Sequence, residues 1–283
     1  MKKLPILATT RTVYELTFQH AGYAVRISWH WLLLIVVASL PLLSFMTTND
    51  ENAHSFFAVV LILLWAILLM AGWSSIAVLW HRRLLRHGEP KGLPIRLDAC
   101  TAQYLRRFIN IGVVLFVLAI LARILARIIG GDQITLASLA NQGIFDLVGL
   151  AKKDFVWFLI SLLVSAAIVI VSLRLSVALP ALALGDAKTT LDRAWNATAG
   201  NALRLLVIAI LISLPVLIID GLILRVEDVL LLETGSYAKA LFYILLWTVV
   251  RPVPLLLGVS LLSVAYAELI EKRSIGSMAH ANV

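Results

Sequence analysis

Six apolar runs, each about twenty residues or longer, settle what this chain can fold into before any motif is considered. They are Ile27–Met46, Phe56–Trp80, Phe108–Ile129, Phe155–Leu182, Ala202–Leu224 and Ala238–Leu269. A helix needs about twenty apolar residues to cross a hydrocarbon core of about 30 Å, and in that solvent its backbone must be bonded within the segment. The expectation is an all-α membrane protein, a bundle of six transmembrane helices with short interfacial helices. Composition agrees, with 61% hydrophobic and only 14% charged residues. The first run is read as a retained span, because it starts late, is long for a signal segment and lacks a small-residue cleavage pattern. The chain then divides into 1–26, an interfacial cytoplasmic segment, 27–269, the six-helix domain, and 270–283, a cytoplasmic tail.

The charges give an orientation. With both termini cytoplasmic, sixteen Lys and Arg flank the spans on that side, led by Arg82, Arg83, Arg86, Lys91, Arg96, Arg106 and Arg107. The opposite segments hold only Lys152, Lys153, Arg225 and Lys239, beside eight acids. Cations near span ends stay on the cytoplasmic side, and Trp29, Trp31, Trp80 and Trp195 fall near the same boundary, as an aromatic belt would.

The connections carry structure of their own. Thr10–Arg26 mixes apolar and polar residues in a way that suits a helix lying in the interface. The segment 130–154 suits a short amphipathic helix folded back on the outer surface. Thr189 followed by Asp192 resembles a capping box, Gly200 is a stop signal, and Leu191–Thr198 is expected to lie flat on the membrane. Pro180 should end or kink the fourth helix. The fourth and sixth runs end "VSLRLSVALPAL" and "VSLLSVAYAEL", a faint internal repeat of the kind found in parallel helix pairs of transporters.

Chemical motifs are few. The chain has no phosphate-binding glycine loop, no H-E-x-x-H and no clustered carboxylates, and its six histidines are scattered. The lone Cys100 cannot make an internal disulfide or a thiolate cluster. No catalytic, cofactor-binding or metal-ligating residue is assigned, and neither a cofactor nor a nucleic-acid partner is expected. The densest polar constellation is "HRRLLRHGEP" with "YLRRF". Its His81, Arg82, Arg83, Arg86, Arg106 and Arg107 are candidate contacts for anionic lipid headgroups on the cytoplasmic face. A membrane-protein partner is the alternative, and so, with Glu89, is chemistry on a lipid phosphate.

The stretch "WTVVRPVPLLLG" puts Arg251 beside Pro252 and Pro254 inside an apolar run of 32 residues. As a straight helix that run would measure about 48 Å, so it must tilt, protrude or break. The prolines cannot donate to the carbonyls of Thr248 and Val250, which favours a break there. Arg251 is expected to face the bundle interior and pair with Asp220, the only acid well inside the fifth run, or with the freed carbonyls. Substrate binding and snorkelling to headgroups are the alternatives.

Two segments resemble known proteins. Trp80-His81-Arg82 with Gly88-Glu89, then Leu179-Pro180-Ala181, Ala194-Trp195, Thr198 and Gly200-Asn201, resemble uncharacterised integral membrane proteins common in alphaproteobacteria. More distantly, the six-span layout is similar to the membrane domain that accompanies bacterial glycerophosphodiester phosphodiesterases. The chain carries no soluble phosphodiesterase domain, so the resemblance implies a multi-pass protein of the bacterial inner membrane and no particular activity. Three classes of function are expected from these residues. They are a scaffold, assembly or regulatory component of the envelope, a small permease or flippase using the broken sixth helix, and a lipid-modifying enzyme.

Overall fold

A computed structural model of the chain describes residues 3–47, 56–86, 98–128, 155–186, 189–230, 244–246, 248 and 250–273. Among them the regular elements are helices: α1 (Ile6–Gln19), α2 (Ala21–Thr47), α3 (Phe56–Arg86), α4 (Ala99–Ile128), α5 (Phe155–Ser176), α6 (Leu179–Ala183), α7 (Leu191–Ala197), α8 (Ala202–Leu230) and α9 (Pro252–Leu269). Six stretches are long and apolar enough to cross a bilayer: on α2, α3, α4, α5 with α6, α8 and α9. Lipid as the solvent accounts for the exposure of Leu33, Leu63, Phe116, Leu121 and Leu163, which would be costly in water. Helix α9 is the hub, touching α1, α3, α6 and α8, whereas no described side chain of α5 is buried.

Proline decides where the fourth run breaks. Pro180 has no N–H for the carbonyl of Ser176, and its ring crowds that carbonyl. Accordingly α5 ends at Ser176 and α6 starts at Leu179 with the proline in its first turn. The break lies one turn before the proline, so the run expected to continue to Leu182 is two helices. Gly185, at φ 80°, closes α6 and lets the Asp186 N–H reach the Ala181 carbonyl at 2.9 Å. The related stretch Ser263-Val264-Ala265 has no proline after it, and there α9 runs on to Leu269. The shared string therefore follows two backbone courses.

Two further expectations are corrected. The cap of α7 is Thr190, whose hydroxyl accepts from the Arg193 N–H at 3.2 Å, while Thr189 donates to Asp186 at 3.0 Å. The Gly200 stop is present at φ 77°. The segment at 10–26 is not one helix. Helix α1 begins at Ile6 and stops at Gln19, and its apolar face meets protein. Leu4, Val13 and Leu16 are buried against α8 and α9, each removing about 2 kcal/mol worth of apolar surface from water. The Leu4 N–H donates to Asn201 Oδ1 at 2.9 Å, and Arg204 donates to the Leu4 carbonyl at 2.8 Å. Further along, Tyr14 donates to the carbonyls of Leu211 and Ile212, and Thr17 meets Ser260 at 2.9 Å. Thus α1 climbs α8 from Asn201 to Ile212, leaving exposed a face that carries Leu7, Arg11 and Phe18. The segments 130–154 and 274–283, and with them Gly88 and Glu89, lie outside the described residues.

Side-chain contacts fix the relative heights of the helices. Ser39 with Trp65, Trp31 with Gly72 and Tyr23 with Trp80 set one antiparallel register between α2 and α3, which puts Arg26 opposite Ala77. His81 with Tyr104 sets the α3–α4 register and puts Arg106 and Arg107 opposite Leu79 and Val78. Trp80 donates to Ser260, which ties the same height to α9, and through Thr17 and Tyr14 to Leu211 of α8. Arg26, Arg106, Arg107, Leu211 and Ser260 therefore lie near one level, within about two helical turns of one another. The largest fully buried side chains, including Trp80, Leu84, Leu179, Leu205 and Leu261, lie at that level or towards the end that carries α6 and α7.

Candidate functional site

Three successive residues at the end of α3 hold three different neighbours. A helix turns about 100° per residue, so Trp80, His81 and Arg82 point in three directions. Trp80 Nε1 donates to Ser260 at 2.8 Å, and Ser260 meets Thr17, which in turn donates to the Val13 carbonyl at 2.7 Å. His81 Nδ1 lies 2.8 Å from Ser263 Oγ, and Ser263 donates to the Val259 carbonyl at 2.9 Å. That carbonyl takes the serine proton, so the histidine carries its own proton on Nδ1 and accepts on Nε2 from Tyr104, 3.4 Å away. Trp80, His81, Ser260 and Ser263 are all completely buried. Arg82 donates to the Ala183 carbonyl at 2.7 Å and to Asp98 at 3.1 Å.

Asp98 caps α4. One of its carboxylate oxygens accepts from the Thr101 N–H at 2.8 Å and the Thr101 hydroxyl at 2.9 Å. Burial pushes its pKa up, but the bonds from Thr101 and the hydrogen bond and charge of Arg82 outweigh that and hold the carboxyl below its usual range.

These placements divide the six expected headgroup contacts. His81 is corrected outright, since it is fully buried with both ring nitrogens engaged inside the bundle. Arg82 turns inward to α6 and Asp98. Arg83 lies 5.5 Å from the centre of the Tyr23 ring, a cation–π distance. Arg86 and Arg106 are exposed, and Arg107 is half-buried.

A second joint was not legible in the sequence. Arg174, near the end of α5, stacks 3.5 Å over the Trp195 ring and donates to Thr198 Oγ1 at 3.1 Å and the Trp195 carbonyl at 2.7 Å. It clamps α7 to α5 by the planar guanidinium face and its edge together, which lysine could not do. The one available signal was a lone cation in an apolar run. Asp98 had a clearer one, an Asp-x-x-Thr start to a helix.

The third polar feature lies away from the others. Helix α9 starts at Pro252 and residues 244–246, 248 and 250 before it are helical; Arg251 between them keeps right-handed helical dihedrals (φ −61°, ψ −28°), so the prolines interrupt the hydrogen-bond ladder there without turning the backbone out of its helical course. Arg251 Nη1 lies 3.6 Å from Asp220 Oδ2, with 39% and 26% of the two side chains exposed. Asp220 is nine residues beyond Leu211, and Arg251 is nine before Ser260. Both counts place the pair about 13 Å from the shared level. Among the described residues no three His, Cys, Asp or Glu gather as a metal-ligand set.

Fold and composition together define a multi-pass helical membrane protein. No family model matches this chain, and neither a curated protein nor a solved structure matches it.

Proposed function

We propose that this chain is a scaffold, assembly or regulatory component of the bacterial inner membrane, with both termini cytoplasmic. The observation that carries this reading is the use made of its polar side chains. Trp80, His81, Arg82, Arg174 and Asn201 all hold one helix to another. These residues belong to the segments that resemble the alphaproteobacterial membrane proteins or adjoin them, and each has a structural partner rather than a face open to substrate. Meanwhile α5 offers a long apolar flank to its surroundings, with Val156, Leu162 and Leu163 exposed. A photoreactive residue at Leu163, in cells, is expected to give a discrete heavier adduct with another membrane protein. Adducts with lipid alone would reject the scaffold.

One observation favours a second reading. An ion pair between helices of a membrane bundle, beside prolines that interrupt the helix ladder, is of the kind that marks substrate pathways in transporters. On this reading Asp220 and Arg251 bind a polar solute. Uptake into proteoliposomes that is lost in Asp220→Asn would support it.

A further inference from the structure

Helices α3, α4 and α8 have 31, 30 and 29 residues. At 1.5 Å per residue each is about 45 Å long, against a hydrocarbon core of about 30 Å. One end must stand clear of the hydrocarbon, and the level shared by Arg26, Arg106, Arg107, Leu211 and Ser260 identifies which. Measured from it away from α6 and α7, α2 retains 21 residues (Ile27–Thr47) and α3 retains 22 (Phe56–Ala77). On the same measure α4 retains 21 (Phe108–Ile128) and α8 retains 19 (Ile212–Leu230). Within the described residues each of the four thus keeps at least about 28 Å, enough to cross one hydrocarbon thickness.

The interior away from α6 and α7 buries small hydroxyls, Ser28, Ser39, Ser74, Ser75 and Thr248, and the interior on the other side of the level is more polar. There α1, α6 and α7 pack on the ends of α3, α4, α8 and α9, and Thr9, Thr12, His81, Thr101, Thr198 and Asn201 are buried. A polar core of this kind suits the depth of headgroups and water. At the level itself Arg26 and Arg106 are exposed, and Trp29, a turn further along α2, is 49% exposed. Arg26, Arg106 and Arg107 form no ion pair among the described residues. A guanidinium held at the edge of hydrocarbon without a protein carboxylate meets lipid phosphate, whose oxygens match its fork of donors.

We propose that Arg26, Arg106 and Arg107 form a girdle that binds the phosphates of anionic phospholipids and marks the edge of the hydrocarbon, leaving the α6–α7 end outside it. The girdle belongs to either functional reading and depends on neither. The test uses the full chain in vesicles of phosphatidylcholine with added phosphatidylglycerol, and measures lipid retained after gentle extraction by intact-complex mass spectrometry. Replacing the three arginines by glutamine should lower retained phosphatidylglycerol about tenfold or more. A control, Lys3→Gln with Arg193→Gln and Lys272→Gln, removes the same charge from exposed sites nearer α6 and α7 and should retain it. Equal loss in both, or no loss in the first, overturns the girdle. The three Arg→Lys changes should preserve binding; loss as complete as with glutamine overturns it. Displacement of the lipid by inorganic phosphate would assign the site to a soluble anion instead. Spin labels at the exposed positions Gln103, Asn110, Val114 and Val117 of α4 test the boundary separately. Accessibility should switch from a polar nickel reagent to oxygen between Gln103 and Asn110, and oxygen preference already at Gln103 overturns the placement.

Discussion

The Tyr14 hydroxyl donates, at 3.1 Å, to the backbone carbonyl of Leu211, the acceptor that Pro215 leaves without an amide four residues on. A proline inside α8 is tolerated because a side chain from α1 replaces the missing donor. Tyr14→Phe should therefore cost about 1–2 kcal/mol, the penalty for a shielded acceptor left unpaired. In a Pro215→Ala background the helix supplies its own N–H, and the same change should cost much less. Thermal melts of the two single variants and the double in detergent check this. An equal loss in both backgrounds would sever the link between Tyr14 and the proline.

Gly72 is required by the ring that lies on it. A Cβ at this position would stand 3.0 Å from Trp31 Cε3 and 3.3 Å from Cδ2, and Trp31 is buried between α2 and α3. Gly72→Ala gains helix propensity but forces the indole to move, so a net loss of about 1–3 kcal/mol is expected from overpacking. Shrinking the ring in the same chain, with Trp31→Phe, should recover part of that loss. A Gly72→Ala variant that melts higher than the parent would show that the indole moves freely.

The six crossings were legible because hydrocarbon demands long apolar runs, and the ends expected at Ala202 and Leu269 coincide with the ends of the apolar helices. Where a run leaves lipid for the protein interior was not legible. Leu205, Ile208, Leu261 and Val264 are apolar because they face α1 and the protein core, and hydropathy does not distinguish a protein interior from lipid. Ser260 and Ser263 look like ordinary small residues of an apolar helix, and their partners Trp80 and His81 are some 180 positions away. Asp220 and Arg251 could be paired from sequence because an unneutralised charge in an apolar run is so costly that its partners are few.

Asp98 gives a pH dependence with a definite sign. Its pKa is lowered in the folded chain, so its stabilising contribution is complete above the ordinary carboxylate value and is lost as pH falls through the folded one. Asp98→Asn keeps a capping oxygen for Thr101 but removes the charge that faces Arg82. The variant should melt below the parent at neutral pH, and the two curves should converge in acid. A gap that stays constant down the acid limb would mean that Arg82 does not sense the ionisation of Asp98.

With the hydrocarbon edge at the girdle, the Asp220–Arg251 pair, nine residues beyond Leu211 and Ser260, lies inside a core of about 30 Å. Depth makes the two single variants unequal. Arg251→Leu leaves a carboxylate that can take up a proton and become neutral, whereas Asp220→Asn leaves a guanidinium that stays charged. Asp220→Asn should therefore be the more destabilising of the two. The double variant, Asp220→Asn with Arg251→Leu, should lose less than the two losses combined, by on the order of 1 kcal/mol for a pair at 3.6 Å with partly exposed side chains. Detergent melting of all four proteins measures this coupling, and strict additivity would remove the pair. If instead Arg251→Leu melts like the parent while solute uptake is lost, the arginine serves the solute.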